Sequence, residues 1–275
     1  MSNKKTLKRI ADALERLSPP ETRLPEFNAP AYIWRSDLHS FEAVENVQTP
    51  PIDCLVGIDR ARDTLLANTQ QFANGNMANN ALLWGARGMG KSSLIKSVCK
   101  KVRKTNPLTL IEISREDLAD LGIIMRLLRT TKTRIIIFCD DLSFEYDESV
   151  YKSLKAALDG GIAGRPENVL FYASSNRRHL MARDMIDNER QAAIHDSEAT
   201  EEKVSLSDRF GLWLGFYGAD QDDYFEMIRR YLVHFGSRAT EDDWKPQAIE
   251  WTMTRGGRSG RVAWQFVTDF VARQK

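Results

Sequence analysis

The sequence predicts an α/β fold: a parallel sheet covered by helices on both faces, followed by a small all-helical unit. Three observations carry this. From residue 81 onward, short apolar runs alternate with helical patterns. Those runs are apolar without polar alternation, which suits strands buried on both faces rather than one. After Gly218 the runs stop and only helical periodicity follows. Strands alternating with helices build a layered βαβ domain, and the purely helical tail adds to it.

Taken in order, residues 6–17 place Leu7, Ile10, Ala11, Leu14 and Leu17 at helical spacing, and Ser18-Pro19-Pro20 ends that helix. Residues 28–51 hold prolines and turn formers around Tyr32 and Trp34 and read as an extended connector. The strands of the sheet are expected at 81–84, 108–113, 135–139, 169–173 and 212–216. Between them, Leu94, Ile95, Val98 and Val102 share one helical stripe, and Tyr151, Leu154, Ala157 and Leu158 share another. In the tail, Tyr224, Met227, Ile228, Tyr231 and Leu232 mark one amphipathic helix. A second is expected to start near Pro246 and stop at Gly256-Gly257, and a third puts Ala263, Phe266, Val267, Phe270 and Val271 on one face.

Bulk composition narrows the class. The chain has 275 residues, 42% apolar and 28% charged, enough for a sizeable core in an ordinary globular protein. A net charge of +1 gives no global basic field, so charge does not indicate nucleic-acid binding. The dense basic clusters are short: Arg177-Arg178-His179, and Lys100, Lys101, Arg103 and Lys104 at a helix C-terminus, where cations are favoured anyway. Three isolated cysteines, Cys54, Cys99 and Cys139, lack zinc spacing and fit a reducing compartment. The first residues show no signal-peptide pattern and no stretch is apolar enough to span a membrane, so a cytoplasmic protein is expected.

The chemistry begins at "WGARGMGKSS". Gly85-Ala86-Arg87-Gly88-Met89-Gly90-Lys91-Ser92 fits G-x-x-x-x-G-K-[ST] at every fixed position. Such a loop turns backbone N–H groups inward as a phosphate cup. Its Lys reaches the β and γ phosphates, its Ser joins a Mg²⁺ shell, and the helix that follows adds its positive end. The context is right, with an apolar strand running in and an amphipathic helix running out. Arg87 is a non-glycine side chain at a variable position of the motif, so Arg87→Ala is expected to leave nucleotide binding largely intact.

Next, residues 135–139 run into Asp140-Asp141. Acids at the carboxyl edge of a buried strand stand where open α/β sheets bind ligands. Asp140 is then a Mg²⁺ acid, direct or through water, and Asp141 orients and polarises the attacking water. Read plainly, both could be solvated turn acids. Asn176, after the strand at 169–173, could hold that water in line or only form a turn. Arg209 could be a surface residue paired with Asp208, or could reach a neighbouring subunit's γ-phosphate. Arg258 and Arg261 stand near a helix start, where positive charge opposes the dipole, which hints at an anionic ligand.

With these elements in this order, residues 51–275 resemble an AAA+ ATPase. Walker A lies at 85–92, Walker B at 135–141 and sensor 1 at Asn176. "SLSDRFGLWLGF" places an arginine finger at Arg209, and Gly260-Arg261 places the sensor 2 arginine. Leu55-Val-Gly-Ile-Asp59 matches the adenine-pocket segment. In detail, "LLWGARGMGKSSL" and "FCDDLSFEYDESVYKSLKAALDGG" look like a bacterial family of AAA+-type ATPases with an uncharacterised role.

The resemblance implies a P-loop αβα sandwich with a five-stranded parallel sheet of order 5-1-4-3-2 and a small helical lid. It implies a nucleotide-binding core at 51–218 and a lid at 219–275, while residues 1–50, which it does not cover, are expected to hold the N-terminal helix and connector. ATP would be held by Val56, Gly57, Gly85, Ala86, Arg87, Gly88, Met89, Gly90, Lys91, Ser92, Ser93 and Arg261. Mg²⁺ would be held by Ser92 and Asp140, and hydrolysis carried by Asp141, Asn176 and Arg209. Many members carry Glu where this chain has Asp141. Bacterial replication initiators and helicase loaders share the Asp-Asp form, so the change bears on rate rather than binding.

Three functions remain open: an oligomerising ATPase acting through Arg209 on an unknown protein or other macromolecular partner, a nucleotide switch or scaffold with negligible hydrolysis, and a P-loop kinase. The kinase leaves Asn176, Arg209 and the lid unexplained. The segment 183–203, rich in Asp and Glu, reads as a solvated loop with a possible place over the site.

Overall fold

The computed structural model describes residues 6–7, 9–10, 24–143, 148–160, 164–176 and 209–274, leaving aside the side chains of 148–152. The acidic segment 183–203, the cluster Arg177-Arg178-His179 and most of the N-terminal helix lie outside the described residues.

The sheet contains β1 (Ala31–Arg35), β2 (Ser40–Val44), β3 (Ala81–Gly85), β4 (Thr109–Ile113), β5 (Ile135–Cys139), β6 (Val169–Ser175) and β7 (Leu212–Phe216). The helices are α1 (Asp59–Ala73), α2 (Lys91–Val102), α3 (Leu121–Leu128), α4 (Glu148–Asp159), α5 (Gln221–His234), α6 (Glu241–Arg255) and α7 (Gly260–Arg273). Strand order is β2-β1-β4-β5-β6-β3-β7. Its last five members, read from the far edge as β7-β3-β6-β5-β4, are all parallel and reproduce the expected 5-1-4-3-2.

The sheet is larger than expected, with seven strands among the described residues instead of five. The reading of residues 28–51 as an extended connector is corrected here. β1 and β2 form an antiparallel hairpin, and β1 pairs parallel with β4 from Ala31↔Leu110 onward. Tyr32 and Trp34, two residues apart, share a face, and both are buried. Trp34 stands opposite Phe41 in register, and its indole N–H donates to Asp120 at 2.9 Å. Burying two aromatics and satisfying the indole outweighs the turn-forming composition around them.

Alternation along each strand sends side chains to two cores. Ile136 and Phe138 of β5 join α1, α2 and the lid on one face. Ile135, Ile137 and Cys139 join α3, α4 and Trp34 on the other. Both faces are therefore dry, which explains the uninterrupted apolar runs.

In the lid, Asp220 caps α5 by accepting from the Asp223 N–H at 2.8 Å. The start expected for the second lid helix is also corrected: α6 begins at Glu241, and Pro246 lies inside it. A capping box between Thr240 and Asp243 fixes the earlier start, since the Asp243 carboxylate accepts the Thr240 N–H and a proline side chain has no such acceptor. Ser259 caps α7, accepting from the Val262 N–H. No helix among the described residues is long and apolar enough to cross a membrane.

Candidate functional site

A cavity of about 580 Å³ opens where the carboxyl ends of the parallel strands meet the lid. β3 lies between β6 and β7, while the chain leaving β3 crosses to β4 on the far side of β5. That reversal of strand order is where open α/β sheets leave a crevice.

The loop after β3 is built by close approach. Gly85 has φ +128°, and a Cβ there would lie 2.0 Å from the Phe216 carbonyl oxygen. The next residue, Ala86, donates its N–H to that same oxygen at 2.8 Å, so the loop is tied to β7. At Gly88, with φ +74°, a Cβ would lie 2.8 Å from Ser259 Oγ. The Arg261 N–H donates to Gly88 O at 3.1 Å. The loop is thus held between β7 on one side and the start of α7 on the other.

Lys91 begins α2 and is only 6% exposed. Its ammonium donates to Gly85 O at 2.9 Å, Ala86 O at 2.8 Å and Asn176 Oδ1 at 3.0 Å. Burial holds its pKa below the ordinary lysine value; the charges of Asp141 and Asp140 oppose this, and Arg261 and Arg87 add to it.

At the end of β5 the two acids are fixed differently. Asp140 Oδ1 accepts from Ser92 Oγ at 2.5 Å, from the Asp141 N–H at 3.0 Å and from Ser174 Oγ. Asp141 has φ +51°, a left-handed conformation uncommon outside glycine though better tolerated by Asp. Its carboxylate accepts from Asn176 Nδ2 at 2.5 Å. Asn176 therefore bridges Lys91 and Asp141, one amide oxygen to the cation and one amide nitrogen to the acid.

The other end of the cavity is apolar. Cys54, Leu55 and Val56 line it from the core, and Met227, Tyr231 and Trp264 line it from α5 and α7. Tyr231 and Trp264 meet edge to face, with centroids 5.1 Å apart at 88°. Burial raises the Cys54 thiol pKa, so it stands here as a neutral apolar group.

The sequence-derived residues fall into three groups. Val56, Arg87, Gly88, Met89, Gly90, Lys91, Ser92, Ser93, Asp140, Asp141, Asn176 and Arg261 line the cavity together. Gly85 and Ala86 stand behind it and offer their carbonyls to Lys91. Gly57 faces α5 instead, where a Cβ would meet Asp223 Oδ2 at 3.0 Å. Arg209 lies away from the cavity, its Nε 2.5 Å from Asp159 Oδ1 at the end of α4. Arg258 donates to Gln221 at 3.2 Å.

Sequence reasoning missed Ser174, Tyr231 and Trp264. Ser174 had a signal, a polar residue at the end of an otherwise apolar strand. Tyr231 sits on a lid stripe indistinguishable from ordinary core, and Trp264 lies just beside the stripe of α7.

The sequence profile of a family described as "Protein of unknown function (DUF815)" matches residues 27–274. No curated protein sequence matches the chain. Among solved structures it is similar to the Thermotoga maritima RuvB Holliday junction branch migration motor. That match has 18% identity and a TM-score of 0.53, and covers 79% of this chain and 63% of RuvB. It is also similar to the Aeropyrum pernix Orc1 protein in complex with DNA. There the identity is 14% and the TM-score 0.57, with 80% of this chain and 61% of Orc1 covered. The chain thus spans less than two thirds of either protein's length. Both are AAA+ P-loop ATPases, and the fold is of that class.

Proposed function

We propose, from the fact that the chain belongs to the DUF815 family and has an AAA+ fold, that it binds Mg-ATP and hydrolyses it at a site shared between subunits. The hydrolysis would drive remodelling or assembly of a macromolecular partner. One observation carries the reading: the Lys91–Asn176–Asp141 chain of bonds, alongside Ser92–Asp140, joins three segments distant in sequence inside one cavity.

The residues fit a magnesium triphosphate. The loop approaches β7 and α7 so closely that side chains at Gly85 and Gly88 have no room, which leaves its backbone to face the ligand. Ser92 and Asp140 are hard oxygen donors suited to Mg²⁺, which typically takes one or two carboxylates and completes its shell with phosphates and water. Bound there, Mg²⁺ would neutralise charge on the β and γ phosphates.

Lys91, freed from the loop carbonyls, would point its ammonium at the phosphates. Asn176 would keep Asp141 in place while Asp141 orients the attacking water and accepts its proton. Arg261 would meet the triphosphate from the lid. Arg209 of a second copy would supply positive charge in trans. Cys54, Leu55, Val56, Met227, Tyr231 and Trp264 would enclose the base.

Phosphate release measured over a protein concentration series, beside sizing with and without ATP, tests this reading. Specific activity should rise with concentration, and Arg209→Ala should bind ATP without turning it over. Wild-type turnover by Arg209→Ala would remove the trans assignment. Turnover absent at every concentration would favour a second reading, a nucleotide switch or scaffold with negligible hydrolysis. The ion pair between Arg209 and Asp159 of the same chain supports that alternative, because it occupies the guanidinium. RuvB is a Holliday junction branch migration motor and Orc1 is seen in complex with DNA, so single-stranded DNA, duplex DNA and an unfolded protein belong in the same assay. Stimulation by DNA alone would point to a helicase-loader-like role.

A further inference from the structure

We infer that Ser174 is a positioning residue for the magnesium-binding acid: its hydroxyl holds Asp140 in place when Ser92 is given over to the metal. This deepens the proposed function and rests on it.

The geometry is specific. Ser174 is the penultimate residue of β6 and is 2% exposed. Its hydroxyl donates to Asp140 Oδ1 and accepts from the Asp141 N–H at 3.0 Å. One buried oxygen therefore binds the carboxylate of the first acid and the backbone of the second. The next backbone group joins the same residue, with the Leu142 N–H donating to Ser174 O at 2.7 Å. Three bonds thus pin the turn 140–142 onto the end of the neighbouring strand, and Asp141 keeps its left-handed backbone within that turn.

Competition for one oxygen makes Ser174 more than a structural tie. Ser92 Oγ, Ser174 Oγ and the Asp141 N–H all donate to Oδ1 of Asp140. A hydroxyl that coordinates a cation through its oxygen can still donate to that carboxylate, but its place is then set by the cation and not by the fold. Ser92 is the member of the three expected to be placed by the cation. Ser174, buried in the strand behind the acids, is the side-chain donor that the fold holds. Partners that orient a metal ligand from behind in this way are worth about 10- to 100-fold in metal affinity.

Affinity for a fluorescent ATP analogue, measured with Mg²⁺ and with EDTA, gives the metal's contribution as a ratio without requiring turnover. In the wild type the ratio should exceed one. In Ser174→Ala it should fall toward one, by up to about ten-fold. The EDTA affinity should stay near wild type, since Lys91 and the loop are untouched. Ser174→Thr and Ser174→Val add equal bulk and differ only in the hydroxyl. Thr should restore the ratio and Val should not. Should Ser174→Ala fail to fold, Ser174→Cys, close in size with a weaker donor, carries the same comparison. A full wild-type ratio in Ser174→Ala, or Thr and Val behaving alike, overturns the inference. A wild type that binds no ATP, or binds it equally with and without Mg²⁺, overturns the proposed function instead.

Discussion

The two ends of the cavity are made in different ways. At the end that the proposed function gives to the phosphates, Lys91, Ser92, Asp140, Asp141, Ser174 and Asn176 are cross-linked by side-chain hydrogen bonds, and the loop is gripped by backbone contacts to Phe216 and Arg261. At the end proposed for the base no such network exists among the described lining residues. Cys54, Leu55 and Val56 face Met227, Tyr231 and Trp264 across apolar contacts drawn from two parts of the chain. Directional bonds fix charge and geometry, whereas apolar surface fixes shape. On the proposed reading, damage at the first end should cost turnover and phosphate affinity. Damage at the second should cost only what depends on the base.

The largest effect is expected at Asp141. Asp141→Asn keeps the size and a hydrogen-bonding group for Asn176 but removes the proton acceptor. Hydrolysis should fall by roughly 10²- to 10⁴-fold, the usual worth of a general base. ATP affinity should stay close to wild type. Single-turnover phosphate release beside equilibrium binding checks both halves, and equal losses in the two would mean that Asp141 serves binding rather than chemistry.

Second in size is Lys91→Met. Removing one partner of a buried charged contact costs about 2–5 kcal/mol, so ATP affinity should fall on the order of 100-fold. Inorganic tripolyphosphate, which has no base, should lose as much. If tripolyphosphate binding survives, the phosphates are held elsewhere.

How far the sequence revealed all this follows the same division. The phosphate end was legible because its chemistry demands rare residue types at fixed spacing, Gly85 to Ser92 and then Asp140-Asp141, each beside a buried strand. Even there Ser174 escaped notice, since a serine at a strand end has many ordinary uses. The base end was illegible: Tyr231 carries the same 3.6-residue periodicity as the helix core, and nothing in that pattern separates a residue facing a cavity from one facing a neighbour. The hairpin was misread for a further reason. Pro30 and the turn formers around it dominate composition, while the alternation of Tyr32 and Trp34, which does encode a strand face, spans only a few residues.

A smaller effect is expected at Trp264. Trp264→Ala removes an aromatic face from the base end; stacking of this kind is worth about 1–3 kcal/mol, so ATP affinity should drop about ten-fold. Tripolyphosphate affinity should not change. Discrimination between ATP and GTP should change little, since every base offers a face to stack. An equal loss for tripolyphosphate would show that the two ends are one cooperative unit, and the contrast drawn above would fail.

The smallest expected effect concerns pH and belongs to the phosphate end alone. Burial lowers the Lys91 pKa in the folded protein, while the unfolded chain keeps an ordinary lysine value of about 10.4. Between those two values the unfolded chain binds more protons than the folded one, so stability attributable to Lys91 rises with pH across that window. Below the folded pKa the cost of burying the ammonium is present in full; above about 10.4 it is gone. Chemical denaturation of wild type and Lys91→Met at neutral pH and near pH 10 isolates the effect, because every other titrating group is common to both. The stability difference should move in favour of the wild type as pH rises. Saturating ATP should reverse that trend, since bound phosphates favour the charged lysine and bind less well as it deprotonates. A difference that moves toward Lys91→Met in the free protein would mean that the contacts to Gly85, Ala86 and Asn176 outweigh burial, and that the ammonium is already satisfied before any phosphate arrives.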